Sequence, residues 1–300
     1  VKNNEIKEIF LQDRESERVD LFLSRVLSLS RTYGAKLVED AVVYKNGILV
    51  TKPSVAINLN DTITIIKKTS ESLVLKDITI EIPIVHEEED FIVINKPAGI
   101  SVHKANAGDI SYTIADWVKE KGLWSDEYRE LNEQAREGIV HRLDKNTSGL
   151  LLIAKNPKSH ELLSKLFMDR VIKKQYKAVV EGEPPVKKTI KTEIIRDPLN
   201  PTRMCCAKGR GKHAITHITL EKQYDNYALV VCDIETGRTH QIRVHMAHIG
   251  HPVIGDEIYG KKSNLINRQA LHACLLEFVY GEKKYSFISE LPLDINLLLV

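Results

Sequence analysis

Residues 141–155 read HRLDKNTSGLLLIAK. Asp144 stands between two cations, Arg142 and Lys145, ahead of the turn formers Asn146, Thr147, Ser148 and Gly149 and an apolar run. On pattern alone, LDKNTSG is a hairpin turn. The flanks temper that reading. Ile139 and Val140 before it, and LLLIA after it, are apolar enough to be buried. The loop is therefore expected to rise from the core rather than hang from a sheet edge. Such a loop suits a positioned acid, although it identifies no reaction.

Outward from this loop the chain reads as a strand-rich mixture with a few helices. Strands are expected at 91–95, 149–154, 176–181, 214–220 and 227–234. Two strands around an acidic turn, Glu87 to Asp90, are expected within residues 79–103. A helix over 158–169 puts Leu162, Leu163, Leu166 and Phe167 on one face. A second, over 240–249, is capped by Thr239 and ended by Gly250 and Pro252, with Ile242, Met246 and Ile249 on its apolar face. Arg243 lies off that stripe in a largely uncharged turn. A guanidinium so placed needs a carboxylate partner, because an unpaired buried charge is costly.

The N-terminal part has its own organisation. Apolar groups in RVDLFLSRVLSL (18–29) follow helical spacing. A short second helix runs to about Asp40, and VVYKNGILV then turns at Asn46-Gly47 as a hairpin, before the strand DTITIIKK. Polar residues 67–77 read as a linker, with a domain boundary near 70–80. Arg25, Arg31 and Lys36 form a basic run without an acid. That is a solvated helix face or an electrostatic footprint for nucleic acid.

Composition excludes some classes. A net charge of +2, from 43 basic and 41 acidic residues, neither demands nor forbids a polyanionic partner. Cys205, Cys206, Cys232 and Cys274 form no CxxC pair, so a reduced, cytoplasmic chain is expected. No secretory pattern and no apolar run of 18 residues is present, so no membrane association is expected. Walker, GxGxxG, HExxH and GxSxG signatures are missing. Gly209 and Gly211 in AKGRGKH fit no nucleotide motif and read as a basic surface loop. His240, His245, His248 and His251 raise the question of zinc, with His245 and His248 suitably spaced. No thiol or carboxylate stands nearby in a ligand pattern, so no metal is expected.

Two resemblances sharpen this. Through RVDLFLS, SRTYGAKLVEDAVVYKNG and KPSVAINLNDTITI, residues 15–66 resemble the α-L RNA-binding module of the ribosomal small-subunit-protein type. It implies RNA contact by Arg31 and Lys36, with Arg25 a further candidate. GIVHRLDKNTSGLLLIAK resembles the signature of RluA/RluD-type ribosomal large-subunit pseudouridine synthases. VINKPAGISVH, KKQYKAVVEG, ETGRTHQIRVHMAHIGHPVIGDEIYG and QALHACLLEF follow in the order of that family. The implied architecture is α+β: a largely antiparallel mixed-sheet catalytic domain over 82–300, a linker over 71–81 and a small α-L domain over 15–70.

The reaction so implied breaks the bond from uracil N1 to the sugar, turns the base and joins its C5 to the same sugar carbon. A carboxylate serves either as nucleophile on the sugar or as base for a sugar proton. By resemblance it is Asp144, paired with Arg243; an opposite charge within ~4–6 Å favours an ionised acid. Tyr176 is implied beside C5, as base or as the ring on which uracil stacks. Arg142 is implied to fill the gap left by the flipped nucleotide, with His141 beside it. Phosphate contacts are implied at Lys173, Lys174, Arg203, Lys208, Arg210 and Lys212. No cofactor is required. The expected partner is RNA, as large-subunit ribosomal RNA or a pre-ribosomal particle, met by a monomer. Transfer RNA, or a non-catalytic role in ribosome assembly, are the alternatives. Residues 119–138 make a longer path between the first two motifs than the family pattern suggests, and FVYGEKK lacks a His-Pro often found there.

Overall fold

The computed structural model describes residues 6–11, 13–26, 35, 38, 42–67, 81–105, 109, 111–124 and 136–300. Arg31, Lys36, most of the second N-terminal helix and most of the linker lie outside these residues. The chain divides into two compact units, Val1–Glu81 with Ala105–Ile110, and Ile82–Lys104 with Ser111–Val300.

In the first unit the described elements are β1 (Ile6–Leu11), β2 (Ser16–Arg18), α1 (Val19–Val26), β3 (Val42–Lys45), β4 (Ile48–Leu49), β5 (Ala56–Asn58) and β6 (Thr62–Lys67). The sheet order is β1-β6-β3-β4, with β2 and β5 paired separately. Asn46 and Gly47 take φ of 50° and 81°, the positive pair that a two-residue type I′ hairpin demands. Phe22 and Leu23 of α1 pack with Val43, Ile57, Ile63 and Ile65 in one apolar cluster. β1 was not expected, and it adds a strand to the small sheet by pairing antiparallel with β6.

The second unit contains β7 (Ile84–Glu87), β8 (Phe91–Lys96), α2 (Ile114–Glu120), β9 (Ser148–Ala154), α3 (Pro157–Met168), β10 (Lys173–Glu181), β11 (Lys187–Arg196), β12 (Met204–Ala207), β13 (Lys212–Gln223), β14 (Tyr227–Ile234), α4 (Gln241–His248), β15 (Leu271–Tyr280), β16 (Lys283–Ile288) and α5 (Leu293–Asn296). One sheet runs β12-β11-β13-β14-β10-β15-β9-β8-β7, with β16 also on β15. Its named strands pair antiparallel throughout except where β15 meets β9. The expected α+β architecture with a largely antiparallel sheet is what the second unit shows.

Local sequence explains the elements around the site. Every residue of β9 is buried, so its unbroken apolar run marks a strand covered on both faces. Asn156 and Ser159 form a capping box, and Pro157 starts α3. Gly149, the last of the turn formers and the first residue of the expected strand, lies inside β9, where β9 and β15 touch. Its φ is +118°, and a Cβ there would sit 2.3 Å from the Ala273 carbonyl oxygen. Only glycine permits this approach.

Candidate active site

The loop from Ile139 to Thr147 leaves a single bridge between Ile139 and Ile153 and returns to β9 with Asp144 near its apex. Backbone and side chains fasten it. Thr147 N–H donates to the Asp144 carbonyl at 3.1 Å, and Gly99 N–H to the Lys145 carbonyl at 2.9 Å. Lys96 is fully buried; its Nζ donates to the carbonyls of Pro97, Ile100 and Lys145 at 2.8, 2.9 and 3.1 Å. Burial draws Lys96 down to about 7, against the pull of Asp144 toward the charged form. Three carbonyl acceptors match the three N–H groups of an ammonium. This single residue thus ties VINKPAGISVH to the Asp144 loop. Arg268 adds a bond to the Asn146 carbonyl at 3.1 Å while it forks onto Asp294 at 2.6 and 2.9 Å.

Arg243 reaches Asp144 from α4. Its Nη1 donates to Asp144 Oδ2 at 2.9 Å, while Nε and Nη2 donate to the two oxygens of Asp256 at 2.6 and 2.8 Å. Asp256 is buried and also accepts from the backbone N–H groups of Ile258 and Tyr259. Burial opposes the charge on Arg243, but the two carboxylates outweigh it and raise its pKa. The expected partner is present, and a second one holds the guanidinium from behind. That fork fixes both the height and the plane of the group facing Asp144.

The helix itself is held by a buried polar network. Gln241 donates to the Ile215 carbonyl and to Thr216 Oγ1, and accepts from Thr236 Oγ1 at 2.7 Å. His245 sits between Thr192 and Thr216, each at 2.9 Å. Thr239 is not the cap. His240 occupies that position in the left-handed region, φ 57° and ψ 18°, without a side-chain cap bond. Gln241 substitutes by accepting from Arg238 N–H at 3.1 Å. At the other end Gly250 closes a Schellman motif, with Gly250 and His251 N–H on the carbonyls of Ala247 and Met246.

A pocket of about 100 Å³ lies over Asp144 and is lined by Arg142, Tyr176, His240 and Leu271, among others. Tyr176 is 8% exposed on β10, beside a register shift against β15. Such bulges re-aim side chains at sites. Burial first, and Asp144 second, push its phenol above the ordinary tyrosine range. Tyr259 accepts from Met204 N–H at 2.8 Å and lies 2.8 Å from His240 Nδ1. The other ring nitrogen of His240, Nε2, lies 4.0 Å from Asp144 Oδ2. Burial lowers the His240 pKa against the pull of Asp144.

The remaining predicted residues divide. His141 accepts from Leu152 N–H at 2.9 Å and stacks on Phe167 at 4.4 Å; burial draws its pKa to about 3. It lines a neighbouring groove rather than the pocket. Arg203 lies over the Tyr259 ring at 5.2 Å, close behind the site, whereas Arg210 is exposed between β12 and β13. Arg25 is taken up by Asp13 and Glu17 at 2.6 and 2.9 Å. Sequence reading missed Lys96, Asp256 and Tyr259, and weighed His240 only as a metal ligand. For Asp256 the only signal was its place in the same motif as Arg243, which it shares with the neighbouring Glu257.

The pocket thus gathers an acid held by a buried arginine, a tyrosine and a leucine. Residues 90–248 match the family model described as RNA pseudouridylate synthase. The chain belongs to that family. It is 36% identical over 295 residues to the ribosomal large subunit pseudouridine synthase D of Zymomonas mobilis, covering 94% of this chain and 92% of that one. It is 39% identical over 277 residues to an uncharacterized RNA pseudouridine synthase of Aquifex aeolicus, covering 90% and 85%. Among solved structures, human RNA pseudouridylate synthase domain containing 1 aligns with a TM-score of 0.56 and 26% identity, over 70% of this chain and 83% of that one.

Proposed function

We propose that the protein isomerises uridines of large-subunit ribosomal RNA to pseudouridine, with Asp144 as the acting acid. The observation that carries the reading is the 2.9 Å bond from Arg243 to Asp144, set by the buried fork onto Asp256. A uridine flipped into the pocket presents its sugar to Asp144, which either attacks C1′ or takes the sugar proton beside it. The N1–C1′ bond breaks, the base turns, and C5 bonds to C1′ as the Asp144 ester is displaced or the sugar proton is returned. C5 then loses its proton while N1 gains one, so the balance is an isomerisation with no redox change.

Arg243 holds the carboxylate in place, so the geometry is set before substrate enters. Tyr176, with its phenol pushed up by burial, serves best as the face on which uracil stacks. His240 places its Nε2 4.0 Å from the acid. Arg142, exposed at the pocket rim, is suited to occupy the stack that the uridine leaves. The basic side chains Arg203 and Arg210 extend the RNA contact, and residues 15–70 act as the α-L RNA-binding module, joined through 71–81 to the catalytic domain 82–300. The enzyme works as a monomer in the cytoplasm, in keeping with its four free cysteines. No helix among the described residues is long and apolar enough to cross a membrane.

Unmodified large-subunit ribosomal RNA and transfer RNA, each incubated with the protein and mapped for pseudouridine, test the substrate. New pseudouridine in the ribosomal RNA is expected. Pseudouridine in transfer RNA alone would overturn the assignment.

A further inference from the structure

Beside the pocket opens a second, larger concavity of about 490 Å³. It shares Arg142, Tyr176 and Arg238 with the catalytic pocket and continues past His141 to the end of α3. Its charge is one-sided: Arg142, Arg170, Lys174 and Arg238 line it against a single acid, Glu235. Glu235 lies 2.7 Å from His217 Nε2.

Lys174 stands out among these groups. On β10, Lys173, Gln175 and Lys177 point to one face, where they meet Glu277, Asp233 and Glu221. Lys174 and Tyr176 point to the other face, as the two-residue period requires. Lys174 is 9% exposed and has no carboxylate partner among the described residues. Its Nζ lies 5.5 Å from the centroid of the Phe167 ring, which on its own does not compensate a buried ammonium. Burial and the nearby Arg170 hold its pKa below the usual lysine value. Arg170 is exposed and adopts φ of 59°, turning the chain just after α3 at the groove. A buried cation left without an acid in an open groove is built for an anion that arrives from solution.

We propose that this groove seats the phosphodiester adjoining the flipped uridine, gripped by Lys174 from inside and Arg170 from the rim. The proposal rests on the reading that RNA enters the Asp144 pocket, since the two concavities share a wall. It also separates the paired lysines: Lys174 holds RNA, and Lys173 holds Glu277.

Dissociation constants for an unmodified large-subunit ribosomal RNA transcript, measured across a salt series, test this on the full chain. Wild type, Lys174→Met and Lys177→Met are compared, with melting temperature read on each. Lys174→Met is expected to weaken binding about tenfold, as loss of one charge-assisted bond does. Its log–log salt slope should be shallower by about 0.7, one single-strand phosphate contact. Its melting temperature should hold or rise, because methionine fills the site without a buried charge. Lys177→Met, which removes a lysine paired with Glu221 on the opposite face, should leave affinity and slope unchanged. An unchanged slope in Lys174→Met, or a fall in melting temperature without a change in slope, would overturn the proposal. Binding is read separately from turnover, so wild type that binds with a steep slope yet forms no pseudouridine would sink the functional reading and leave the groove standing.

Discussion

At the scale of single residues, the site depends on one guanidinium satisfying two acids. Arg243 spans Asp256 and Asp144 because its five donors form a rigid fork. Lysine has the charge but not the fork. Arg243→Lys is expected to retain most of the fold and to lower kcat by about a hundredfold or more, with Asp144 no longer held. A kcat within about threefold of wild type would show that orientation of Asp144 matters little. Arg243→Met should instead destabilise by about 3–5 kcal/mol, since Asp256 would be left buried and unpaired. Denaturant unfolding distinguishes the two variants. The sequence disclosed that Arg243 needed a partner, because it sat among apolar neighbours. It did not disclose Asp256, since nothing in a linear pattern separates a buried acid from the exposed Glu257 beside it.

At the scale of elements, strands with strong periodicity or continuous apolar runs were readable, and those shaped by their neighbours were not. β9 and β14 were foreseen because seven and eight consecutive positions carry mostly apolar side chains. β11 was not, because only Ile190 and Ile194 of its ten residues are buried. Its strand character comes from the ladder with β13 and not from its own composition. Gly149 shows the same limit. Its turn-forming company concealed a contact point between two strands distant in sequence. Gly149→Ala would drive a methyl group to within 2.3 Å of the Ala273 carbonyl oxygen and to 2.6 Å of its nitrogen. The cost is expected to exceed about 3 kcal/mol, because backbone must move and φ is positive. A thermal melt comparing the variant with wild type checks this, and an unchanged melting temperature would contradict the close approach. Helix ends were read less well at α4, where the start is capped by a tertiary network involving Gln241 and not by Thr239.

At the scale of the whole molecule, buried histidines couple stability to pH. Burial draws His141 to about 3, and His245 and His272 each to about 4. The unfolded chain binds those protons near pH 6.5, whereas the folded protein does not until well below it. Their stabilisation is therefore complete above about pH 6.5 and is lost as pH falls toward 4, by roughly 1.4 kcal/mol per pH unit for each histidine. Urea unfolding at pH 7 and pH 5 should show a fall of several kcal/mol. Equal stability at the two values would contradict the buried, neutral assignment. The fold's larger purpose is to bring a loop after Ile139, a bulged strand and a helix about a hundred residues further on to one carboxylate. The measurement that tests this most directly is tritium release from ribosomal RNA labelled at C5 of uracil, by wild type and by Asp144→Asn, with RNA affinity determined for both. The amide keeps an oxygen for Arg243 but can neither attack C1′ nor take a proton. Release by wild type, none by Asp144→Asn, and affinities within about twofold are predicted. Turnover by the variant, or an equal loss of binding and turnover, would mean that Asp144 only shapes its loop.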